Sequence, residues 1–150
     1  MVPTLVSQAS GVVLEIGPGI GNQIPRYDKS KVTKVYGVEP HPDFSDALKR
    51  QIKAKGMTDE YTIVPHGIDD REALERYGIK AGSIDTILDI QVLCSVPDPE
   101  AAVKAMYTLL KPGGKWIVYE HVRSRDAVSR AVQSRFSFPL STVFASTSPW

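Results

Sequence analysis

The sequence contains a single cysteine, Cys94, which excludes an internal disulfide and a cysteine-rich zinc site. It contains no apolar run that approaches the ~18 residues of a membrane-spanning helix. It has no excess of charge either, since the formal net charge is +1, and nothing favours nucleic acid or anionic lipid as a partner. The amino terminus lacks the basic segment and apolar core of a secretion signal. We therefore expect a cytoplasmic protein with no transmembrane segment and no nucleic-acid partner, in which Cys94 is a small buried residue.

Apolar segments rich in β-branched residues alternate with segments of helical periodicity along most of the 150 residues. The five predicted strands are Gly11–Ile16, Val32–Val38, Tyr61–Val64, Ile84–Leu88 and Lys115–Tyr119. The predicted helices are His41–Lys55, Asp70–Tyr77 and Asp98–Lys111, with a turn or two at Asn22–Tyr27. We expect the apolar residues of each helix, Phe44 among them, to face the core. The alternation predicts an α/β fold with a Rossmann-like doubly wound parallel sheet.

The two ends of the chain differ from this pattern. The first strand begins almost at once, and we expect no element before it. Residues 136–150 are rich in Ser and Phe and carry no charge, so we divide the chain into a domain, 1–135, and an irregular apolar tail, 136–150. The tail has one extended piece within Ser141–Ala145, and we expect it to pack over the edge of the fifth strand. An open sheet edge would also favour a homodimer.

A glycine-rich loop follows the first predicted strand in the segment VLEIGPGIGN, residues 13–22. Gly17, Gly19 and Gly21 allow the backbone to approach a ligand that a Cβ atom would repel. The dinucleotide fingerprint requires glycine where Asn22 stands, and the Gly-Lys-Ser/Thr sequence of a Walker loop is absent. Glu15, at the end of the strand, would repel a pyrophosphate and would suit a cationic amine.

Further acidic residues follow the second and third predicted strands. Glu39 stands where an acid commonly accepts hydrogen bonds from the two hydroxyls of a ribose. In the segment VPHGIDD, the backbone N–H of Ile68 would face an adenine ring, and Asp69 or Asp70 could accept its amino group. For Asp70 we favour the role of helix cap. The expected ligand therefore has an adenosine and an aminated, cationic chain without phosphates, which describes S-adenosylmethionine.

These motifs resemble those of the class I S-adenosylmethionine-dependent methyltransferases with a type-11 methyltransferase domain. The resemblance covers roughly residues 11–123 and includes VLEIGPGIGN, VYGVEP, HGIDD, SIDTILDIQVLCSVPDP and LLKPGGKWIVYEHV, in this order. The branch it resembles is that of the alkyl-thiol methyltransferases and their fungal relatives. The sheet of that family ends in an antiparallel pair, which is missing or atypical here, so we expect a member shortened at both ends.

The resemblance implies S-adenosylmethionine as the cofactor and assigns residues to it. The implied cofactor-binding residues are Glu15, Gly17, Gly19, Gly21, Glu39, Ile68, Asp69, Asp89 and Gln91. Asp89 and Gln91 would form the floor of the methyl-transfer site. The expected acceptor is the thiol or hydroxyl of a small molecule, in a reaction of secondary metabolism, and no metal is expected.

Two other functions stay open, as does the identity of a catalytic base. A non-catalytic or weakly active protein that binds S-adenosylmethionine would keep the cofactor motifs and have an incomplete acceptor site. A nicotinamide-dependent oxidoreductase would fit Glu39 and the parallel sheet, but Glu15 and Asn22 oppose it. His66 and His121 are candidate bases, although for each a hydrogen-bonded histidine at the rim is the simpler interpretation, and we assign no base.

Overall fold

The computed structural model describes residues 2–121, 141–142 and 145–146, and all statements of structure concern these residues. The strands are β1 (Gly11–Ile16), β2 (Val32–Val38), β3 (Tyr61–Val64), β4 (Ile84–Ile90), β5 (Leu110–His121), β6 (Ser141–Thr142) and β7 (Ala145–Ser146). The α-helices are α1 (Val2–Val6), α2 (Ser45–Lys55), α3 (Arg71–Arg76) and α4 (Pro99–Leu109). Short 3-10 turns occupy Ile24–Arg26, Pro42–Phe44 and Leu93–Ser95.

The five predicted strands form one parallel sheet in the order β3-β2-β1-β4-β5. This arrangement confirms the predicted doubly wound α/β fold. The strand order reverses between β1 and β4, so a crevice opens at the carboxyl ends of these two strands. In folds of this kind, ligands bind at such a reversal.

Helices cover both faces of the sheet, which is why its strands are apolar on both sides. On one face, the core includes Leu48 and Ile52 of α2 together with Tyr27 and Tyr61. On the other, the core includes Leu74 of α3 and Ala102, Met106 and Leu109 of α4. Asp70 and Asp98 cap α3 and α4 by accepting the backbone N–H groups of Ala73 and Ala101, and the cap at Asp70 was predicted.

The antiparallel part of the sheet is described only at residues 141–142 and 145–146, so the expectation that it is missing or atypical stays a prediction. β6 and β7 have two residues each, and both pair with β5 in the antiparallel sense. β5 is longer than predicted because Leu110 already pairs with Ile84, after which Lys111–Gly114 leave the ladder and Lys115 pairs with Thr86. The remainder of the predicted tail, and its boundary at residue 135, lie outside the described residues.

Two expectations outside the candidate site were wrong. Helix α1 precedes the first strand because Leu5, Val6 and Ala9 are buried in the core, although its five residues are too few to show a helical period. Cys94 is exposed, since the chain leaves the sheet after β4 and Cys94 lies in the following 3-10 turn. Across the part of the chain that the structure describes, no helix is both long and apolar enough to cross a membrane.

Candidate functional site

The candidate site lies in the crevice at the carboxyl ends of β1, β2 and β4. Two adjoining cavities of about 550 and 220 Å³ open there, and the glycine loop and Gln91 contribute to both walls. The predicted site residues that line the larger cavity are Gly17, Gly19, Glu39, Ile68, Asp69 and Gln91. Glu15 lines the smaller cavity. Gly21 and Asp89 belong to neither lining.

The three glycines of the loop all have positive φ angles, but their surroundings differ. A Cβ atom on Gly19 would meet nothing within 4 Å, so the backbone there faces open space where a ligand can approach. A Cβ atom on Gly17 would lie 2.7 Å from Cγ1 of Val92. On Gly21 it would lie 3.0 Å from the Cβ atom of Gln51 in α2, so this glycine allows the loop to pack on the helix.

Glu39 is buried and joins the two sides of the crevice. Its Oε2 accepts the backbone N–H of Gly19 at 2.9 Å, and its Oε1 accepts the N–H of His41 at 3.0 Å. Each carboxylate oxygen can accept a second hydrogen bond. The side chain can therefore shape the loop and also bind a pair of ligand hydroxyls.

Glu15 is an acid buried among aromatic side chains. Its Oε2 accepts hydrogen bonds from the hydroxyls of Tyr27 at 3.0 Å and Tyr61 at 2.8 Å. Its Oε1 has no hydrogen-bond partner in the described part of the protein. Burial raises the pKa of Glu15 to about 7, although both tyrosines oppose the rise, while burial and the nearby carboxylate hold the pKa of each tyrosine well above its usual value. The tyrosines therefore remain donors, and Oε1 stays buried without a partner among the described residues.

The segment that follows β3 supplies one wall of the larger cavity. Ile68 is buried and Asp69 is exposed, and both line this wall. Asp70 points elsewhere, because it caps α3 and its Oδ2 lies 3.1 Å from Nδ1 of His66. His66 therefore contacts Asp70 and lines neither cavity. The side chain of His121, the other candidate base, lies outside the description.

Asp89 is fully buried beside Glu120, which belongs to the end of β5. Neither oxygen of Asp89 has a well-formed hydrogen bond within the described structure. Burial, and the carboxylate of Glu120 after it, raise the pKa of Asp89 to about 8. At neutral pH Asp89 therefore carries a proton.

The sequence analysis missed several residues of the cavity wall. Phe44, expected in the core, is 36% exposed and lines the larger cavity, because a 3-10 turn at Pro42–Phe44 precedes α2 and directs the ring outward. Val92 lines the same cavity and packs against Gly17. Pro42 was the available signal for the turn, whereas no local pattern marks Val92.

Comparison with known proteins identifies the family. Residues 2–147 match the family described as a methyltransferase domain. The chain belongs to this methyltransferase family. It is 32% identical over 117 residues to thiol S-methyltransferase TMT1B of Homo sapiens, a match that covers 76% of this chain and 45% of that protein. It is 28% identical over 131 residues to the ubiquinone biosynthesis O-methyltransferase of Xanthomonas euvesicatoria pv. vesicatoria, covering 87% of this chain and 52% of that protein. The methyltransferase domain described here thus spans about half the length of these relatives.

A solved structure supports the fold of the methyltransferase domain. The S-adenosylmethionine-dependent methyltransferase from Aquifex aeolicus superposes with a TM-score of 0.61 at 14% identity, over 77% of this chain and 59% of that chain. At this identity the likeness concerns the fold alone. The family match and the relatives confirm the predicted resemblance, and S-adenosylmethionine is the cofactor that this resemblance implies.

The charges of the two cavities fit this cofactor. Their acidic lining residues are Glu15, Glu39, Asp43 and Asp69, and neither lining includes a lysine or an arginine among the described residues. An acidic cleft favours a ligand with a sulfonium and an ammonium group, and it disfavours the phosphates of a dinucleotide. The open space at Gly19 and the unpartnered Oε1 of Glu15 fit the same ligand.

Proposed function

We propose that this chain transfers a methyl group from S-adenosylmethionine to the thiol or hydroxyl group of a small molecule. The observation that carries the proposal is the acidic crevice at the switch of strand order, which has carboxylates at both ends and lacks a lysine or arginine in its described lining. Two relatives support the class of acceptor, since one is named a thiol S-methyltransferase and the other an O-methyltransferase. A place in secondary metabolism stays a prediction, as do the cytoplasmic location and the homodimer.

The cavity residues that the sequence predicted each have a proposed task in binding the cofactor. Glu39 would accept the ribose hydroxyls, and Ile68 and Asp69 would contact the adenine. Gly17 and Gly19 would pass beneath the methionine chain, and Glu15 would meet its amine through Oε1. Because Gln91 lines both cavities, it would lie close to the junction of the adenosine and methionine parts.

The protein's main contribution to the reaction would be alignment and exclusion of water. The sulfonium supplies a methyl group that is already electrophilic, so the acceptor needs chiefly to be held in line with it. Such positioning can contribute ~7–11 kcal/mol of effective molarity. A general base is needed only where the acceptor arrives protonated. His66 is turned toward Asp70, so we assign no base to the described residues.

Calorimetric titration with S-adenosylhomocysteine and with NADH, in parallel, tests the cofactor. We expect micromolar affinity for S-adenosylhomocysteine, about –8 kcal/mol, and far weaker binding of NADH. Tighter binding of NADH would refute the proposal and favour an oxidoreductase. Incubation with S-adenosylmethionine and a panel of small thiols and phenols then tests transfer, with S-adenosylhomocysteine formation as the readout. Binding without transfer to any acceptor would favour the non-catalytic alternative.

A further inference from the structure

The loop after β4 begins with a residue in an unusual backbone conformation. Gln91 has a φ of 58°, and among the residues that the structure describes it is the only non-glycine residue with a positive φ. Residues other than glycine, asparagine and aspartate rarely adopt this backbone conformation, and it persists only where the surroundings impose it. Gln91 lines both cavities, so whatever imposes its conformation also shapes the site.

Three hydrogen bonds to β5 impose that conformation. The backbone N–H of Gln91 donates to the carbonyl oxygen of Tyr119 at 2.7 Å. The next two backbone N–H groups, those of Val92 and Leu93, both donate to Oε1 of Glu120, the latter at 2.9 Å. A left-handed residue followed by a right-handed one, here Gln91 and Val92, turns successive N–H groups toward a single point. Such a backbone nest binds anions, and the carboxylate of Glu120 occupies it.

The nest is connected to the cofactor loop through Val92. The side chain of Val92 lies against Gly17, where a Cβ atom would approach within 2.7 Å of Cγ1, and it lines the larger cavity. Glu120 itself is in neither cavity lining. Its contacts among the described residues are instead with the loop that follows β4.

Asp89 lies beside Glu120 and carries a proton at neutral pH. The carboxyl of Asp89 is fully buried next to a second carboxylate, and a negative charge there would be strongly disfavoured. Oε1 of Glu120 accepts two backbone N–H groups, whereas neither oxygen of Asp89 has such a donor, which agrees with the proton residing on Asp89. A neutral Glu120 would bind the nest more weakly, since hydrogen bonds to an ionised acceptor are the stronger ones.

We propose that Glu120 is a positioning residue of the cofactor site, whose carboxylate holds Val92 and Leu93, and through them the turn at Gln91, in the conformation that binds S-adenosylmethionine. The identity of the ligand in this inference rests on the proposed function, whereas the role of Glu120 in the loop conformation does not. The residue acts through the loop and does not contact the cofactor.

Four variants test the proposal by calorimetry with S-adenosylhomocysteine. Glu120→Gln keeps the size and an acceptor oxygen but removes the charge, and Glu120→Ala removes both. We expect roughly tenfold weaker binding for the glutamine variant and a greater loss for alanine. Glu100→Gln is the matched control, because Glu100 is an exposed glutamate that, among the described residues, pairs with Lys104 on α4, and it should bind like the parent protein. Affinities within twofold of the parent for both folded Glu120 variants would overturn the proposal.

A double-mutant cycle with Gln91→Gly separates positioning from a general structural role. Glycine adopts a positive φ without strain, so the loop should depend less on Glu120 in that background. We expect the loss of affinity caused by Glu120→Ala to be at least threefold smaller when residue 91 is glycine. An equal loss in both backgrounds would mean that Glu120 does not act through the left-handed turn, and the proposal would be wrong.

Amide hydrogen exchange of the unliganded chain decides the inference independently of any ligand. In the parent protein we expect the amides of Val92 and Leu93 to be protected although they lie in a loop, and Glu120→Gln should accelerate their exchange. Unprotected amides in the parent protein would overturn the proposal even if no variant folds. If the parent protein does not bind S-adenosylhomocysteine but these amides are protected, the proposed function fails and the role of Glu120 in the loop stands.

Discussion

Glu39 and Gly19 are joined across the crevice by a hydrogen bond of 2.9 Å from the backbone N–H to Oε2. The second oxygen of the same carboxylate accepts the N–H of His41, so one buried side chain connects the glycine loop with the segment after β2. Glu39 therefore has a structural role in the empty protein beside its proposed role as the ribose ligand. The two roles can be measured separately.

Glu39→Ala should weaken both ligand binding and the fold. We expect the affinity for S-adenosylhomocysteine to fall by about 2–3 kcal/mol, because two charge-assisted hydrogen bonds to the ribose are lost. We also expect the free energy of unfolding without ligand to fall by about 1–3 kcal/mol, because two backbone N–H groups lose their acceptor. Calorimetry and urea denaturation measure the two effects.

Glu72→Ala is the control for that variant, since Glu72 is exposed and its ion pair in the described structure is with Arg76 along α3. Its removal should leave affinity and stability close to those of the parent protein. Unchanged ligand affinity in Glu39→Ala would show that Glu39 is not the ribose ligand. Unchanged stability would show that its two backbone contacts contribute little.

Substitution of Gly19 by alanine should mainly weaken ligand binding, and substitution of Gly21 should mainly lower stability. Both glycines have positive φ angles, so either substitution strains the backbone. At Gly19 the new methyl group enters the open cavity, and we expect at least a tenfold loss of S-adenosylhomocysteine affinity with a modest loss of stability, about 1 kcal/mol. At Gly21 it approaches Gln51 and Leu48 of α2, and we expect the greater loss of stability there. Equal losses of affinity and of stability in the two variants would contradict the different roles of Gly19 and Gly21.

The sequence was sufficient to predict the sheet because each parallel strand is an apolar, β-branched run bounded by turn residues. It was insufficient where tertiary contacts overrule local pattern. Helix α1 exists because Leu5 and Val6 are buried, and its five residues are too few to show a helical period. Phe44 lines the cavity because of a turn that the helical spacing of its neighbours conceals.

In the candidate site, too, some residues could be predicted from the sequence and others could not. The carboxyl ends of strands carry the functional residues in this fold, so Glu15 and Glu39 could be found from motif spacing alone. Glu120 could not, because its partners are backbone N–H groups of residues 92 and 93, nearly thirty positions earlier in the chain. Backbone donors have no sequence signature. Only the register of β4 against β5 brings them to this carboxylate.

The affinity for S-adenosylhomocysteine should rise with pH between 6 and 7.5 through the titration of Glu15. Its pKa is raised to about 7, so at pH 6 most molecules hold a neutral acid that attracts the ligand's ammonium group weakly. We expect about tenfold weaker binding at pH 6 than the fully ionised form would show. Glu15→Gln should bind weakly at every pH, with a flat profile. A flat profile in the parent protein would contradict a contact between Glu15 and the amine.

The stability of the unliganded protein should respond to pH through Asp89. The groups that act on its carboxyl are Glu120, which raises the pKa, and the indole of Trp116, which lowers it. Glu15 projects from the opposite face of the sheet, where it contacts Tyr27 and Tyr61. The pKa of Asp89 is about 8 in the folded protein, against an ordinary value of 3.8, so the folded state binds this proton more tightly than the unfolded state does.

The sign of the effect follows from this difference in proton binding. Between pH 4 and 8 the folded protein retains a proton that the unfolded chain has released, so the contribution of Asp89 to stability declines as pH rises through this range and levels off above it. Asp89→Asn imitates the protonated acid and should remove this dependence. Urea denaturation at pH 5, 6.5 and 8 should therefore show the parent protein losing stability relative to Asp89→Asn at each step, with the greatest difference at pH 8. Parallel curves for the two proteins would mean that Asp89 does not titrate in this range, and that the buried pair carries no proton at neutral pH.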